Sequence, residues 1–181
     1  PPATSALVAC LHAFDVGPDV LVSGINTGWN TGLQTYVASG TVGAARVAVD
    51  RGTTGVAVSV PGRRDNPDGR VDYQAIARAT ARAVEAMAQT GELGKPLLVN
   101  INSPAEVDAS TPVHLTTPAR FALYEDMRQV DGRTPADGRE TIRLAYGDNL
   151  AEPFQPGDEA DALQSGAASI CVTDPLTSRV V

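Results

Sequence analysis

Cysteine is scarce in this sequence, and nothing in its placement gives it a binding role. There are two cysteines in 181 residues, Cys10 and Cys171, near opposite ends of the chain in apolar segments. They lack metal-ligand spacing, and such a distant pair reads as two buried free thiols rather than a disulfide. Histidine is as rare: His12 falls on an expected helix and His114 in an expected strand, outside any metal motif, so both read as structural. No run approaches the roughly 18 apolar residues that a transmembrane helix needs, which argues against membrane insertion. Positive charge is also short. Lys and Arg number 14 against 21 Asp and Glu, a formal net charge of -7, so a nucleic acid polymer is not an expected partner. No G-x-G-x-x-G opens a helix, which disfavours a dinucleotide-dependent oxidoreductase. A small anionic ligand would need a local positive site, such as a metal ion or a helix N-terminus.

What is present fits one globular domain over residues 1–181, with 43% hydrophobic residues and no internal repeat. Residues 4 to 14 predict a short helix, capped by Thr4 or Ser5 and broken at Gly17-Pro18. Residues 19 to 23 predict a buried strand, and residues 24 to 38 a loop rich in glycine and asparagine. Ser39 then predicts an N-cap for a helix reaching about Asp50, with Gly52 as its stop. Residues 56 to 60 predict a second strand. Tyr73, Ile76, Ala77, Thr80, Val84, Met87 and Ala88 fall at helical spacing, with Asp72 as cap and Gly91 as terminator. Residues 97 to 101 predict a third strand. The alternation of strand and helix implies an α/β fold, Rossmann-like, with a mainly parallel sheet and flanking helices. Beyond Pro104 the pattern changes: residues 113 to 146 predict an extended β-hairpin arm, turning between Asp131 and Gly138. A loop, a short helix at 160 to 164 and a strand at 169 to 173 complete the chain.

The chemistry concentrates after the first strand. The C-terminal edge of a parallel sheet is where open α/β folds bind ligands. Gly24, Gly28 and Gly32 let the loop there fold tightly. Asn26 and Asn30 offer carbonyl oxygens for a hard divalent cation and amide donors for a phosphate oxygen. Ser39-Gly40-Thr41 opens a helix whose first N–H groups lack partners inside it, an arrangement that favours anions. Gly40 would let an anion approach, and the Ser39 and Thr41 hydroxyls add donors. Gly43, Ala44 and Ala45 would keep that helix close to the sheet. Each residue also has a plain reading, with the asparagines as turn residues and Ser39 as a helix cap.

In order along the chain, Pro18-Asp19-Val20-Leu21-Val22-Ser23-Gly24-Ile25-Asn26, then Gly28, Asn30, Gly32 and Ser39-Gly40-Thr41-Val42-Gly43-Ala44-Ala45 resemble the signature of the SurE nucleotidase family. Asn100-Ile101-Asn102-Ser103-Pro104 resembles its Asn-x-Asn-x-Pro strand end. Residues 158 to 176 resemble its closing segment, with an acidic start and Gly166. The resemblance implies a cytoplasmic, metal-dependent phosphatase that hydrolyses nucleoside monophosphates, a 5'/3'-nucleotidase. Asn26 would be a ligand of a divalent metal cation, Mg or Mn. Asn30, Ser39, Gly40 and Thr41 would hold the phosphate. No catalytic residue is assigned. The resemblance also implies an arm exchanged between subunits of a homodimer or homotetramer, with Phe121, Leu123, Tyr124 and Met127 as contact residues.

The departures matter too. The family's paired aspartates and the serine that completes its metal shell have no match here. Leu33-Gln34 stands where acidic residues are frequent. The chain taken alone is therefore expected to have little phosphatase activity. The competing expectation is a non-catalytic remnant that binds nucleotides or only oligomerises.

Overall fold

The computed structural model describes residues 1–11, 17–120, 127–133, 141–146 and 154–173. The elements run α1 (Pro2–Cys10), β1 (Val20–Thr27), α2 (Leu33–Ala38), α3 (Gly40–Asp50), β2 (Thr54–Val60), α4 (Tyr73–Gln89), β3 (Leu98–Asn102), β4 (Val113–Thr116), β5 (Met127–Arg133), β6 (Thr141–Tyr146), α5 (Glu159–Gln164) and β7 (Ala168–Thr173). The main sheet has the order β1-β2-β3-β7-β4. β1, β2 and β3 are parallel, β7 runs antiparallel to β3, and β4 is parallel to β7. This is the expected Rossmann-like, mainly parallel sheet.

Every residue of β2 and β3 is buried, as expected of central strands covered on both faces. Alternation assigns each residue a face. Val56, Val58, Val60, Val99 and Ile101 form one apolar cluster with Ile76 of α4. Ala57 and Leu98 point the other way and cluster with Tyr36 of α2 and Val42, Ala45 and Val49 of α3. α3 lies hard on β2: a Cβ at Gly55 would come within 2.0 Å of the Ala45 carbonyl oxygen. A Cβ at Gly43 would meet nothing within 4 Å, so the close approach belongs to Gly55 rather than to Gly43.

Several boundaries differ from the sequence reading. α1 starts at Pro2, with Pro1 as N-cap and no side-chain cap bond, so neither Thr4 nor Ser5 caps it; proline suits a first helical turn, where no N–H is needed. β1 extends to Thr27 through an irregular register between Ser23 and Asn26. Gly24 makes this step, with φ +139°, and its Cβ would press within 2.4 Å of the Val58 carbonyl oxygen. The segment read as loop holds the six-residue helix α2. β4 belongs to the main sheet, so the two-stranded unit is narrower than residues 113 to 146. It consists of β5 and β6, paired antiparallel, and the turn expected at 131 to 138 lies largely outside the described residues. His12, Phe121, Leu123 and Tyr124 lie outside them as well. Both cysteines are free and buried.

Candidate functional site

The β1-α3-β2 crossover sets α3 antiparallel to the strands, so its N-terminus lies at their C-terminal edge. The strand register builds a polar row along that same edge. Asn26 of β1 aligns with Ser59 of β2, Ser59 with Asn102 of β3, and Asn102 with Ser169 of β7. Residues aligned in this way project to one face, here the face that carries α2 and α3. That face grades from Leu98 to Asn100 to Asn102 along β3. Its companion residues Val99 and Ile101 stay apolar against α4.

Asn30 locks into this row. Its backbone N–H donates to Asn102 Oδ1 at 2.8 Å, and its carbonyl oxygen accepts from Asn100 Nδ2 at 2.8 Å and Asn102 Nδ2 at 3.1 Å. Its own side-chain amide donates to Ser59 Oγ. Asn30 is 3% exposed, so its side chain faces the protein interior. Trp29 Nε1 donates to the Ser103 carbonyl at 2.8 Å, pinning the preceding residue to the end of β3.

Asn26 is partly buried, and its amide nitrogen donates to the Gly28 carbonyl oxygen at 2.8 Å. This bond shapes the turn and fixes the plane of the amide. Its Oδ1 is a neutral oxygen of the kind a hard cation accepts. Among the described residues no group of three His, Cys, Asp or Glu could hold a metal ion. A dication such as Mg prefers near-octahedral oxygen coordination that includes carboxylates. One amide oxygen fits that preference but does not make a shell.

Ser39 ends α2 and begins α3 in a single extended residue, φ -68° and ψ 129°. Its Oγ accepts from the backbone N–H groups of Thr41 and Val42, each at 3.1 Å. The cap expected from the sequence is therefore present, and it occupies two of the helix's leading donors. Gly40 is exposed, and a Cβ there would touch Pro2 Cγ at 3.3 Å, so this glycine also accommodates α1.

The sequence reading missed Glu159. It begins α5, is fully buried, and receives three donors. Oε1 accepts from the Gly32 and Ala119 backbone N–H groups, and Oε2 from Asn100 Nδ2. Burial raises its pKa from 4.5 to about 8, against the lowering effect of those donors. Close by, the Tyr36 hydroxyl and Asn100 Oδ1 are buried without a well-formed hydrogen bond. Burial drives the Tyr36 hydroxyl far upward and the Cys171 thiol up to about 12. Both stay neutral. Ser59, Asn100 and Asn102 were not singled out as site residues either, although two asparagines at strand spacing inside an apolar strand are a readable signal.

The family model described as Survival protein SurE matches residues 1–125. The chain belongs to the SurE family. It is 30% identical to the 5'-nucleotidase SurE of Methanoculleus marisnigri over 173 residues, which cover 92% of this chain and 63% of that protein. To the 5'-nucleotidase SurE of Sorangium cellulosum it is 34% identical, covering 95% of this chain and 61% of that one. The SurE crystal structure from Aquifex aeolicus superposes with a TM-score of 0.74 at 21% identity, covering 96% of this chain and 66% of that chain. The last likeness establishes the fold. The chain thus spans a little under two thirds of the length of these SurE relatives.

Proposed function

We propose that this SurE chain is part of a phosphatase that hydrolyses nucleoside monophosphates, bearing phosphate at the 5' or 3' position, to nucleoside and phosphate. The observation that carries the reading is the convergence of one polar row, Asn26-Ser59-Asn102, with the N-terminus of α3 at a single sheet edge. Its relatives named as 5'-nucleotidases supply the substrate class.

The Ser39-Gly40-Thr41 turn would hold the phosphate, with the helix dipole and the donors not taken by the cap favouring negative charge. Asn30 would serve the phosphate through the turn it locks, since its own amide is engaged on Ser59. In hydrolysis a water oxygen bonds to phosphorus as the ester P–O bond breaks, and the nucleoside oxygen leaves with a proton. A divalent cation, Mg or Mn, would offset charge on the phosphoryl oxygens. Asn26 would give it one neutral oxygen, and a full shell needs carboxylate or water oxygens in addition.

A cytoplasmic setting is part of this reading, as is a homodimer or homotetramer joined through the β5–β6 hairpin. That hairpin is a two-stranded unit separate from the main sheet. Deleting residues 121–150 should lower the number of protomers per particle, read as light-scattering mass divided by the protomer's own mass, and an unchanged number refutes the hairpin's role.

The direct test is phosphate release from nucleoside monophosphates by the full-length protein with Mn or Mg, beside Asn26→Ala. Turnover by the parent, with Mn affinity weakened in the variant by calorimetry, supports the reading. Absence of turnover under saturating metal overturns it. Unchanged Mn affinity in Asn26→Ala reduces Asn26 to a turn residue.

A further inference from the structure

Glu159 stands out because nothing in the chemistry above uses it. A buried carboxyl group is costly unless it is well provided with hydrogen bonds. This one sits on α5, yet its partners lie in three other parts of the chain. Gly32 is 127 positions away, in the turn that enters α2; Asn100 is 59 away, in β3; Ala119 is 40 away, beyond β4. The contacts interlock. The Leu33 N–H donates to the Ala119 carbonyl at 3.1 Å, so the two backbone segments joined by Glu159 Oε1 also bond each other. The Asn100 amide that reaches Glu159 Oε2 also holds the Asn30 carbonyl. The Gly32 carbonyl accepts from the Tyr36 N–H at 3.0 Å, within the first turn of α2. α2 then runs directly into Ser39.

We propose that Glu159 is a positioning residue for the phosphate side of the site: its buried carboxyl group clamps the Gly32 and Ala119 N–H groups and the Asn100 amide, and so fixes the Asn30–Gly32 turn and the α2–α3 unit at the sheet edge. The proposal rests on the phosphatase reading. The clamp on the two backbone donors depends on an acceptor oxygen at Oε1, which either protonation state of a carboxyl group provides. A carboxamide provides it too. An aliphatic side chain does not, and aspartate is shorter by one carbon–carbon bond, about 1.5 Å.

The experiment compares Glu159→Leu, Glu159→Gln and Glu159→Asp in the full-length protein, each assayed well below its own melting temperature. Glu159→Leu should lose kcat/KM on a nucleoside monophosphate by about tenfold to a hundredfold, the usual effect of a small displacement of a binding group. The inhibition constant for inorganic phosphate should rise in parallel. Glu159→Gln should restore most of both, and Glu159→Asp should not. Amide exchange at Gly32 should quicken in Glu159→Leu while exchange in β2 stays as in the parent. A folded Glu159→Leu with parental kcat/KM and phosphate inhibition overturns the proposal and leaves Glu159 a stabilising residue only. If Glu159→Leu does not fold, Glu159→Asp decides in the same way. Glu159→Gln as impaired as Glu159→Leu also overturns it. If the parent hydrolyses no nucleoside monophosphate, the phosphatase reading has failed. The clamp is then judged by exchange: faster Gly32 exchange supports it, and equal exchange sinks it.

Discussion

At Ser39 a single hydroxyl oxygen meets two backbone N–H groups, and an aspartate there would cap α3 equally well. On the proposed reading it would also put a negative charge where the phosphate would sit. Ser39→Asp should therefore keep its melting temperature and lose inhibition by phosphate. Retained inhibition would make Ser39 a cap alone, worth about 1 kcal/mol. Gly40→Val is a poorer probe, because its side chain would meet Pro2 whether or not an anion binds. Glu159 gives the molecule a pH dependence with a definite sign. Its folded pKa of about 8 lies above the ordinary 4.5, chiefly because burial penalises the charged form. The folded state then binds more protons than the unfolded state between those values, so stability falls as pH rises. The contribution is fully present below pH 4.5 and is lost through about pH 8. Tyr36 and Cys171 are pushed up beyond this window and add no slope. Melting temperature should decline across the window in the parent and decline less in Glu159→Gln. Parallel curves would show that Glu159 does not titrate there.

The elements owe their arrangement to close contact as much as to propensity. Gly55 sits under α3 where even a methyl group would overlap the Ala45 carbonyl. Gly55→Ala should cost about 1–3 kcal/mol by overpacking, read as a shift in denaturant midpoint; a neutral effect would mean that α3 slides readily on the sheet. Gly55 was invisible in the sequence as a contact glycine, because its role depends on a helix that crosses it in space. The caps of α3 and α4 were legible, since Ser39 and Asp72 act through their own neighbours, two or three residues on; that of α1 was not, because Pro1 starts it with no side-chain cap bond. The strand and helix alternation was legible for the same reason. α2 was not, because six residues between Gly32 and Ser39 carry too short a pattern to separate from loop. β4 read as part of an arm because its pairing partner, β7, follows more than 50 residues later. The candidate site divides along the same line. Asn26, Asn30 and Ser39 announced themselves by local density of polar and glycine residues. Ser59, Asn100 and Glu159 act at the same edge from distant stretches, and a single buried glutamate beside a helix cap looks like ordinary surface charge.

For the whole molecule, β7 enters between β3 and β4, its residues pairing with a strand laid down some 70 positions earlier. The strands β1, β2 and β3 can associate in order as they are synthesised, each crossover closing a short span. The last strand must close a much longer loop, and only after that can Glu159 reach the turn at Gly32. A nascent chain would thus acquire the β1–β3 part of its sheet before the Gly32 turn is held in place. A ribosome stalled before β7 would hold β1, β2 and β3 with β4 still unpaired and the Gly32 turn unclamped. Pulsed amide exchange during refolding would show this as late protection of Gly32 together with β7, after β2; simultaneous protection of all three would remove the delay.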